Sequence, residues 1–236
     1  YVSFAEQNTS GDIILPTSGG YDSRILNWAI KDKTRIRSFT YGISKNQSKS
    51  TEVVYAKKIS KILGTKWKQI ELSHYNDYIN DWHRIFGFST HLHGMYHIEF
   101  YKNISSKCNF NNDVTLLSGI FGDVWAGNID RFNIFSAHDI YKLGYTHGLN
   151  LDKKYLRIKE QNEILNKYFE DNKINLQSYQ FQIVSTIRIK LILISYLVSV
   201  PELFGFPTWT PFLDFKVATT MLQLPSDLRE NRNWQR

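Results

Sequence analysis

The amino-acid sequence predicts an α/β fold: a parallel, doubly wound sheet with a helical C-terminal part. Three observations predict it. Short apolar runs at residues 13–15, 36–41, 67–72 and 114–117 alternate with segments of helical periodicity. Glycine-rich stretches follow the first and the fourth run. From about Phe132 strand signals cease and helical patterns take over. Strands alternating with helices imply right-handed crossovers, hence a parallel sheet covered on both faces. At 236 residues, with 42% hydrophobic and 15% aromatic side chains, the chain can bury a full core. The expected organisation is one domain over 1–236, divided into an α/β part at 1–131 and a mainly helical part at 132–236.

Each element has a local reason. Ile13, Ile14 and Leu15 form the first strand, and Ile25, Leu26, Trp28, Ala29 and Ile30 give the following helix its apolar face. Residues 36–41 form the second strand and 42–49 a polar loop. Ser50 or Thr51 caps a helix that presents Val53, Ala56, Ile59, Ile62 and Leu63 and stops at Gly64. A third strand at 67–72 precedes helices at 75–86 and 95–105. The fourth strand, 114–117, is bounded by Asp113 and Ser118. Helices are then expected at 152–169, 176–200 and 214–222.

Composition limits the partners. The formal charge of +7 and the pI near 9.3 suit a phosphate-bearing ligand. The lysines are scattered rather than clustered, so nucleic acid is not the expected partner. Cys108 is the lone cysteine, which leaves no disulfide and no C-x-x-C motif and points to the reducing cytoplasm. The longest apolar run, 191–200, is preceded by Arg188 and Lys190 and falls short of the ~20 residues that span a bilayer, so no membrane association is expected. A chain that opens at Tyr1 and reaches its first strand at once reads as an excerpt from a longer polypeptide.

Residues 18–24, Ser-Gly-Gly-Tyr-Asp-Ser-Arg, stand between a strand and a helix. Two glycines allow consecutive N–H groups to converge, and the helix behind them adds free donors and its positive dipole end, so an anion is favoured there. Ser18 and Ser23 add hydroxyls, and Asp22 is placed to bridge magnesium to phosphate. No lysine follows the glycines, which excludes a Walker A loop. A second stretch, 118–127, holds three glycines and one acid, Asp123, directly after a buried strand. Ligands of parallel sheets sit beyond the carboxyl ends of the strands. The segments at 18–24, 41–42 and 118–127 therefore converge, and Asp123 is expected to face Asp22. His91, His93 and His97 lie close together without a cysteine or carboxylate to complete a metal site, so a cleft or surface role is expected. Tyr96, Trp125, Phe132 and Trp209 are read as core aromatics, with an acceptor pocket as the alternative.

Residues 18–23 resemble the S-G-G-x-D-S pyrophosphate loop of the ATP pyrophosphatase superfamily. An ordered set of motifs resembles the synthetase domain of the asparagine synthetase family. Ser38, Phe39 and Gly42 match its S-F-x-x-G; Glu52, Ala56, Leu63, Gly64 and Thr65 match its E-x-x-x-A and L-G-T helix. Ser118, Gly119, Asp123 and Gly127 match its second loop, and Pro211, Phe212, Leu213 and Asp214 its P-F-L-D. The resemblance implies an ATP-dependent, AMP-forming ligase that adenylates a carboxylate and passes it to an amine. It implies that Ser18, Gly19, Gly20, Asp22 and Ser23 hold pyrophosphate, and that Asp22 and Asp123 bind Mg2+. It likewise implies Asp22, Asp123 and Ser23 as the catalytic set. Leu15, Tyr41, Ser118 and Gly119 would contact adenosine, mostly through backbone atoms. Small-molecule, glycan or peptide carboxylates and amines are the implied substrates, with ammonia supplied by a glutaminase domain or partner.

The chain departs from the asparagine-forming pattern in two places. Ile120 and Val124 stand where that loop carries glutamates, which disfavours aspartate as substrate. The lysine expected a few dozen residues after P-F-L-D is not found at 229–236; either it lies beyond Arg236 or this chain lacks it. Two alternatives stay open: a tRNA-modifying enzyme similar to lysidine synthetase, and an ATP-binding module without chemistry.

Overall fold

A computed structural model describes residues 2–87, 92–110, 113–147, 161–229 and 233–234. A short helix α1 (Val2–Asn8) precedes β1 (Ile13–Pro16), α2 (Tyr21–Ala29) and β2 (Ile36–Thr40). There follow α3 (Thr51–Leu63), β3 (Lys66–Gln69), α4 (Ile79–Phe86), α5 (Tyr96–Lys107) and β4 (Thr115–Leu117). The chain continues through α6 (Gly122–Trp125), α7 (Asn162–Asp171), α8 (Tyr179–Leu193) and α9 (Tyr196–Leu203). It ends with β5 (Thr208–Trp209), α10 (Phe215–Leu222) and α11 (Ser226–Arg229). All strand pairs are parallel, and the strand order is β3-β2-β1-β4-β5.

The central strand explains the sheet. Ile13, Ile14 and Leu15 are at most 2% exposed, so β1 is covered on both faces and reads as an unbroken apolar run rather than an alternating one. Each of its neighbours is reached through a helical crossover. The α3 helix ends as its sequence requires: Gly64 takes the left-handed conformation, φ 70°, and closes the last turn. At the other end Ser50 behaves differently from the expected cap. Its hydroxyl bonds to Ser44, 2.7 Å away, and not to the first turn of the helix.

Two compact units result. One comprises Tyr1–Gly122 with Ile194–Ala218; the other comprises Asp123–Leu193 with Thr219–Arg236. The core of the first gathers Ile14, Phe39, Trp82, Phe100, Ile104 and Leu116 with Tyr196 and Val200 of α9. In the second, α8 packs against the 3-10 turn Ala137–His147.

This corrects the expected division at 131/132. The chain leaves the sheet after Gly122 and returns to it at 194, where α9 packs on α5 and β5 pairs with β4, Leu116 with Thr208 and Leu117 with Trp209. The expectation of no strand after Phe132 fails at β5. Two paired residues show no periodicity, so nothing in the local sequence marks them. The helix expected at 176–200 is two helices, α8 and α9, with a turn at 194–195. The part of the helix expected at 152–160 lies outside the described residues.

Among the described residues one stretch, Tyr179–Leu203, which takes in α8, the turn and α9, is long and apolar enough to cross a membrane by length and composition. A core helix passes the same test. Within the stretch, the amide of Gln182 is buried and bonds both backbone groups of Phe132, at 2.8 and 3.2 Å.

Candidate functional site

The first glycine loop closes the carboxyl end of β1. Thr17 still belongs to the sheet, its N–H donating to the Phe39 carbonyl at 2.9 Å. The next three residues turn into α2. The N–H of Ser18 donates to Ser23 Oγ at 3.3 Å, and the N–H of Gly20 to Ser18 Oγ at 3.1 Å, so the two hydroxyls organise the loop from inside. Gly20 is extended, φ −72° and ψ 161°, and no side chain caps α2. The first turn of this nine-residue helix brings the positive end of its dipole to the loop.

Neither Gly19 nor Gly20 adopts a positive φ. Space is tight at 19: a Cβ there would lie 3.1 Å from Cβ of Tyr55 on α3, which would have to give by a few tenths of an ångström. The second glycine loop is used in the same way. A Cβ on Gly119 would fall 3.2 Å from Cβ of Asp22, and one on Gly122 only 2.6 Å from Cγ of Asp22 and 2.9 Å from the Phe212 ring. Asp22 is thus seated in a niche that exists because the chain after β4 carries glycines at 119 and 122. The two motifs meet through this packing.

A cavity of about 400 Å3 opens over these strand ends. Ser18, Gly20, Asp22 and Ser23 line one part, with Gly119 beside them. Pro16, Thr17, Phe39, Thr40 and Tyr41 contribute from β1 and β2. The remaining wall is Ile43, Glu52, Tyr96, His97, Phe100 and Leu197. Of the expected adenosine contacts, Tyr41 and Gly119 stand on this wall. Leu15 is wholly buried in β1, and Ser118 is 8% exposed, with its N–H donating to Trp209 at 2.8 Å and its Oγ accepting from Ile120 N at 3.3 Å. Ile120 and Phe121 are 8% and 2% exposed and face the core, not this cavity; Phe121 takes a left-handed backbone, φ 71°.

The aromatic wall was not foreseen as a unit. Tyr41 contacts Tyr96, His97 and Phe100 at ring distances of 5.0 to 5.7 Å, and its hydroxyl lies 3.4 Å from His97 Nε2. The signal was present in Tyr96, His97, Phe100 and Tyr101, which recur on one side of α5. His97 is therefore a buried aromatic-cluster residue. His91 lies outside the described residues, and among those described no cluster of three His, Cys, Asp or Glu side chains could hold a metal. Burial pushes the Tyr41 phenol well above its ordinary value, helped by the neighbouring Tyr96, and burial does the same to Tyr101 and Tyr196. A phenol with a raised folded-state pKa contributes stability that is intact below the unfolded value near ~10 and lost as pH climbs through the folded one. Thermal melting should accordingly show a midpoint that is level from pH 8 to about 10 and falls above it. Tyr41→Phe should blunt that fall; an unchanged alkaline limb would show that Tyr41 does not contribute.

The second unit carries the other acid. Asp123 is about a quarter exposed, and its Oδ2 accepts from Asn128 Nδ2 at 3.1 Å and lies 3.5 Å from Lys190 Nζ on α8. Nothing in the local sequence marked Lys190, which sits in an apolar helix. Arg229, 1% exposed, donates Nη1 to the Trp125 carbonyl at 2.8 Å, Nε to Leu224 at 3.0 Å and Nη2 to Met221. It braces the end of the second loop. Gly127, φ 97°, leaves 3.1 Å between a would-be Cβ and Arg229. The third motif has a structural explanation: Pro211–Leu213 is a 3-10 turn, and Asp214 Oδ1 caps α10 by accepting from Lys216 N at 2.8 Å and Val217 N at 3.1 Å.

No family model matches the chain, and no curated protein matches it. Among solved structures, it is similar to the NH3-dependent NAD synthetase from Campylobacter jejuni subsp. jejuni NCTC 11168 in complex with the nitrate ion. The identity is 13%, the match covers 83% of this chain and 90% of that one, and the TM-score is 0.38. At that score the likeness decides nothing about activity, and what this chain does is read from its own residues.

Proposed function

We propose that this chain is the synthetase domain of an ATP-dependent carbon–nitrogen ligase of the ATP pyrophosphatase type. The observation that carries the reading is the niche around Asp22, where two glycines of the second loop make room for one acid of the first. A hard cation with phosphate ligands prefers such an oxygen donor, and the hydroxyls of Ser18 and Ser23 and the helix start beside it suit phosphate oxygens. The residues therefore fit Mg2+ with ATP. When bound, Mg2+ neutralises charge that builds on the leaving phosphates.

The protein's own part is positioning. Ser18, Gly19, Gly20 and Ser23 would hold the β and γ phosphates at the start of α2, and Asp22 would hold their magnesium. Tyr41 and Gly119 on the cavity wall would be available to the nucleoside. A substrate carboxylate oxygen attacks the α phosphorus, the new O–P bond forms as the α–β bridge breaks, and pyrophosphate leaves. An amine nitrogen then attacks the acyl carbon, AMP departs with the C–O electron pair, and the amine loses a proton. Asp123 as a second magnesium ligand, and Leu15 and Ser118 as adenosine contacts, follow from the family resemblance. Asparagine synthetase is the member whose motifs the chain shares in order. With Ile120 in place of the loop's first glutamate, the carboxylate is other than aspartate: a small molecule, glycan or peptide. Ammonia, if it is the amine, would come from a glutaminase domain or partner. A single cysteine fits a cytoplasmic setting.

The test is carboxylate-dependent exchange of labelled pyrophosphate into ATP, run with aspartate and with glycan and peptide acids. Exchange with an acid other than aspartate is expected. ATP binding without exchange would leave a binding module, and exchange that needs tRNA and collapses with salt would favour the tRNA-modifying reading.

Gly122→Ala tests the niche itself. Its backbone is compatible with alanine, so folding should survive, whereas a Cβ 2.6 Å from Asp22 Cγ must displace the carboxylate. Calorimetry should show magnesium-dependent ATP affinity reduced about 10- to 100-fold, the usual effect of disturbing the support of a metal ligand. Wild-type affinity would mean that Asp22 is not used in that position.

A further inference from the structure

Three cations from two strands meet beside the outer edge of the sheet. β3 is the edge strand, and its register with β2 sets Lys66 against Arg37 and Lys68 against Phe39. Side chains alternate between the faces of a strand, so these four residues share one face. The chain leaving α5 reaches over that face. Phe110 packs edge-on against Phe39 with ring centroids 6.1 Å apart. Lys68 Nζ lies 3.4 Å from the Lys107 carbonyl and 3.6 Å from Cys108 Sγ. A cavity of about 180 Å3 opens between them, with no acid among its lining residues.

The charge there is unbalanced. Asp12 stands 3.2 Å from Nε of Arg37, which leaves the two terminal nitrogens of the guanidinium for another acceptor. Among the described residues neither Lys66 nor Lys68 has a carboxylate in ion-pair contact. Like charges on neighbouring strands, about 5 Å apart at the backbone, repel one another. Lysine on an edge strand discourages pairing with another chain, but that use calls for no arginine on the inner neighbour. An anion between the three groups answers the whole arrangement. The cavity is below the ~300 Å3 at which pockets for drug-sized ligands begin, so a nucleotide does not fit. It shares Phe39 with the larger cavity and none of the loop residues 18–23. We propose that it is a second anion site, one that takes a phosphoryl dianion, as the free ion or as the head of a small phosphomonoester. The guanidinium fork would meet two of its oxygens and the ammonium groups the others. The proposal is independent of the function read from the glycine loops.

The experiment titrates inorganic phosphate into the 15N-labelled chain at constant ionic strength and follows backbone amide shifts, with sodium chloride as control and phenyl phosphate as a second arm. The amides of residues 66–68 and 108–110 should shift and saturate with phosphate. The double variant Lys66→Gln/Lys68→Gln should weaken that binding at least about 10-fold, the worth of one hydrogen bond to a charged group. Both lysines are exposed, so the variant should fold, and its amide spectrum checks this. If it does not, the wild-type titration decides alone. Tighter saturation by phenyl phosphate would identify an ester as the ligand, and equal or weaker saturation the free ion; either supports the site. Shifts that chloride reproduces, that do not saturate, or that the folded double variant leaves unchanged would overturn the proposal, and the lysines would then only guard the edge strand.

Discussion

Asp22→Ala should lower magnesium-dependent ATP affinity at least ~100-fold and abolish pyrophosphate exchange, while the protein stays folded. The floor comes from what disturbing a mere supporting group costs, 10- to 100-fold; removing the ligand itself costs more. Folding should survive because Asp22 is half-exposed in the first turn of α2, where an acid contributes about 0.3–1 kcal/mol through the helix dipole. Asp22→Asn is the sharper companion. It retains the shape that fills the niche beside Gly119 and Gly122 and removes only the charge. Calorimetry with and without magnesium separates the two contributions. Equal affinity in Asp22→Ala would take the loop out of the site, whatever the resemblance.

Arg229→Met should have the largest effect on stability. The guanidinium is buried, and its three donors go to the carbonyls of Trp125, Met221 and Leu224. Burial pulls its pKa down from the ordinary arginine value, as expected for a cation removed from water without a carboxylate beside it. Taking the side chain away leaves buried acceptors unsatisfied, each costing about 1–3 kcal/mol, so a loss of about 3–5 kcal/mol in urea unfolding is expected. Lysine should not rescue it, because a single ammonium cannot reproduce a planar fork aimed at separate carbonyls. A change below about 1 kcal/mol would show that water or neighbouring groups replace the fork.

The order of local elements was legible because each is specified within its own segment. The first four strands appear within two residues of their apolar runs at one end and within three at the other. The αL stop at Gly64 and the turn from β1 into α2 follow from residue type. The charge of Asp22, the hydroxyls of Ser18 and Ser23 and the dipole of a helix start travel with the sequence itself, so an anion-binding loop could be proposed there. The conformational role assigned to its glycines could not. Neither takes a positive φ, and the atom that Gly19 approaches, Cβ of Tyr55, belongs to chain 36 residues later.

What the sequence by itself determined is therefore the set of local signals: a parallel α/β sheet, the glycine loop at 18–23 with its acid, and a second glycine loop after β4. Tertiary structure alone decided the rest. It placed Gly122 where only glycine leaves room for Asp22, and brought β5 back to the sheet from a stretch without strand periodicity. It gathered Tyr41, Tyr96, His97 and Phe100 into one wall, and paired Lys190 with Asp123 across 67 residues. The physical reason is common to all four. Close packing and charge pairing depend on distances between segments remote in the chain, whereas periodicity, capping and turn chemistry depend on neighbours along it.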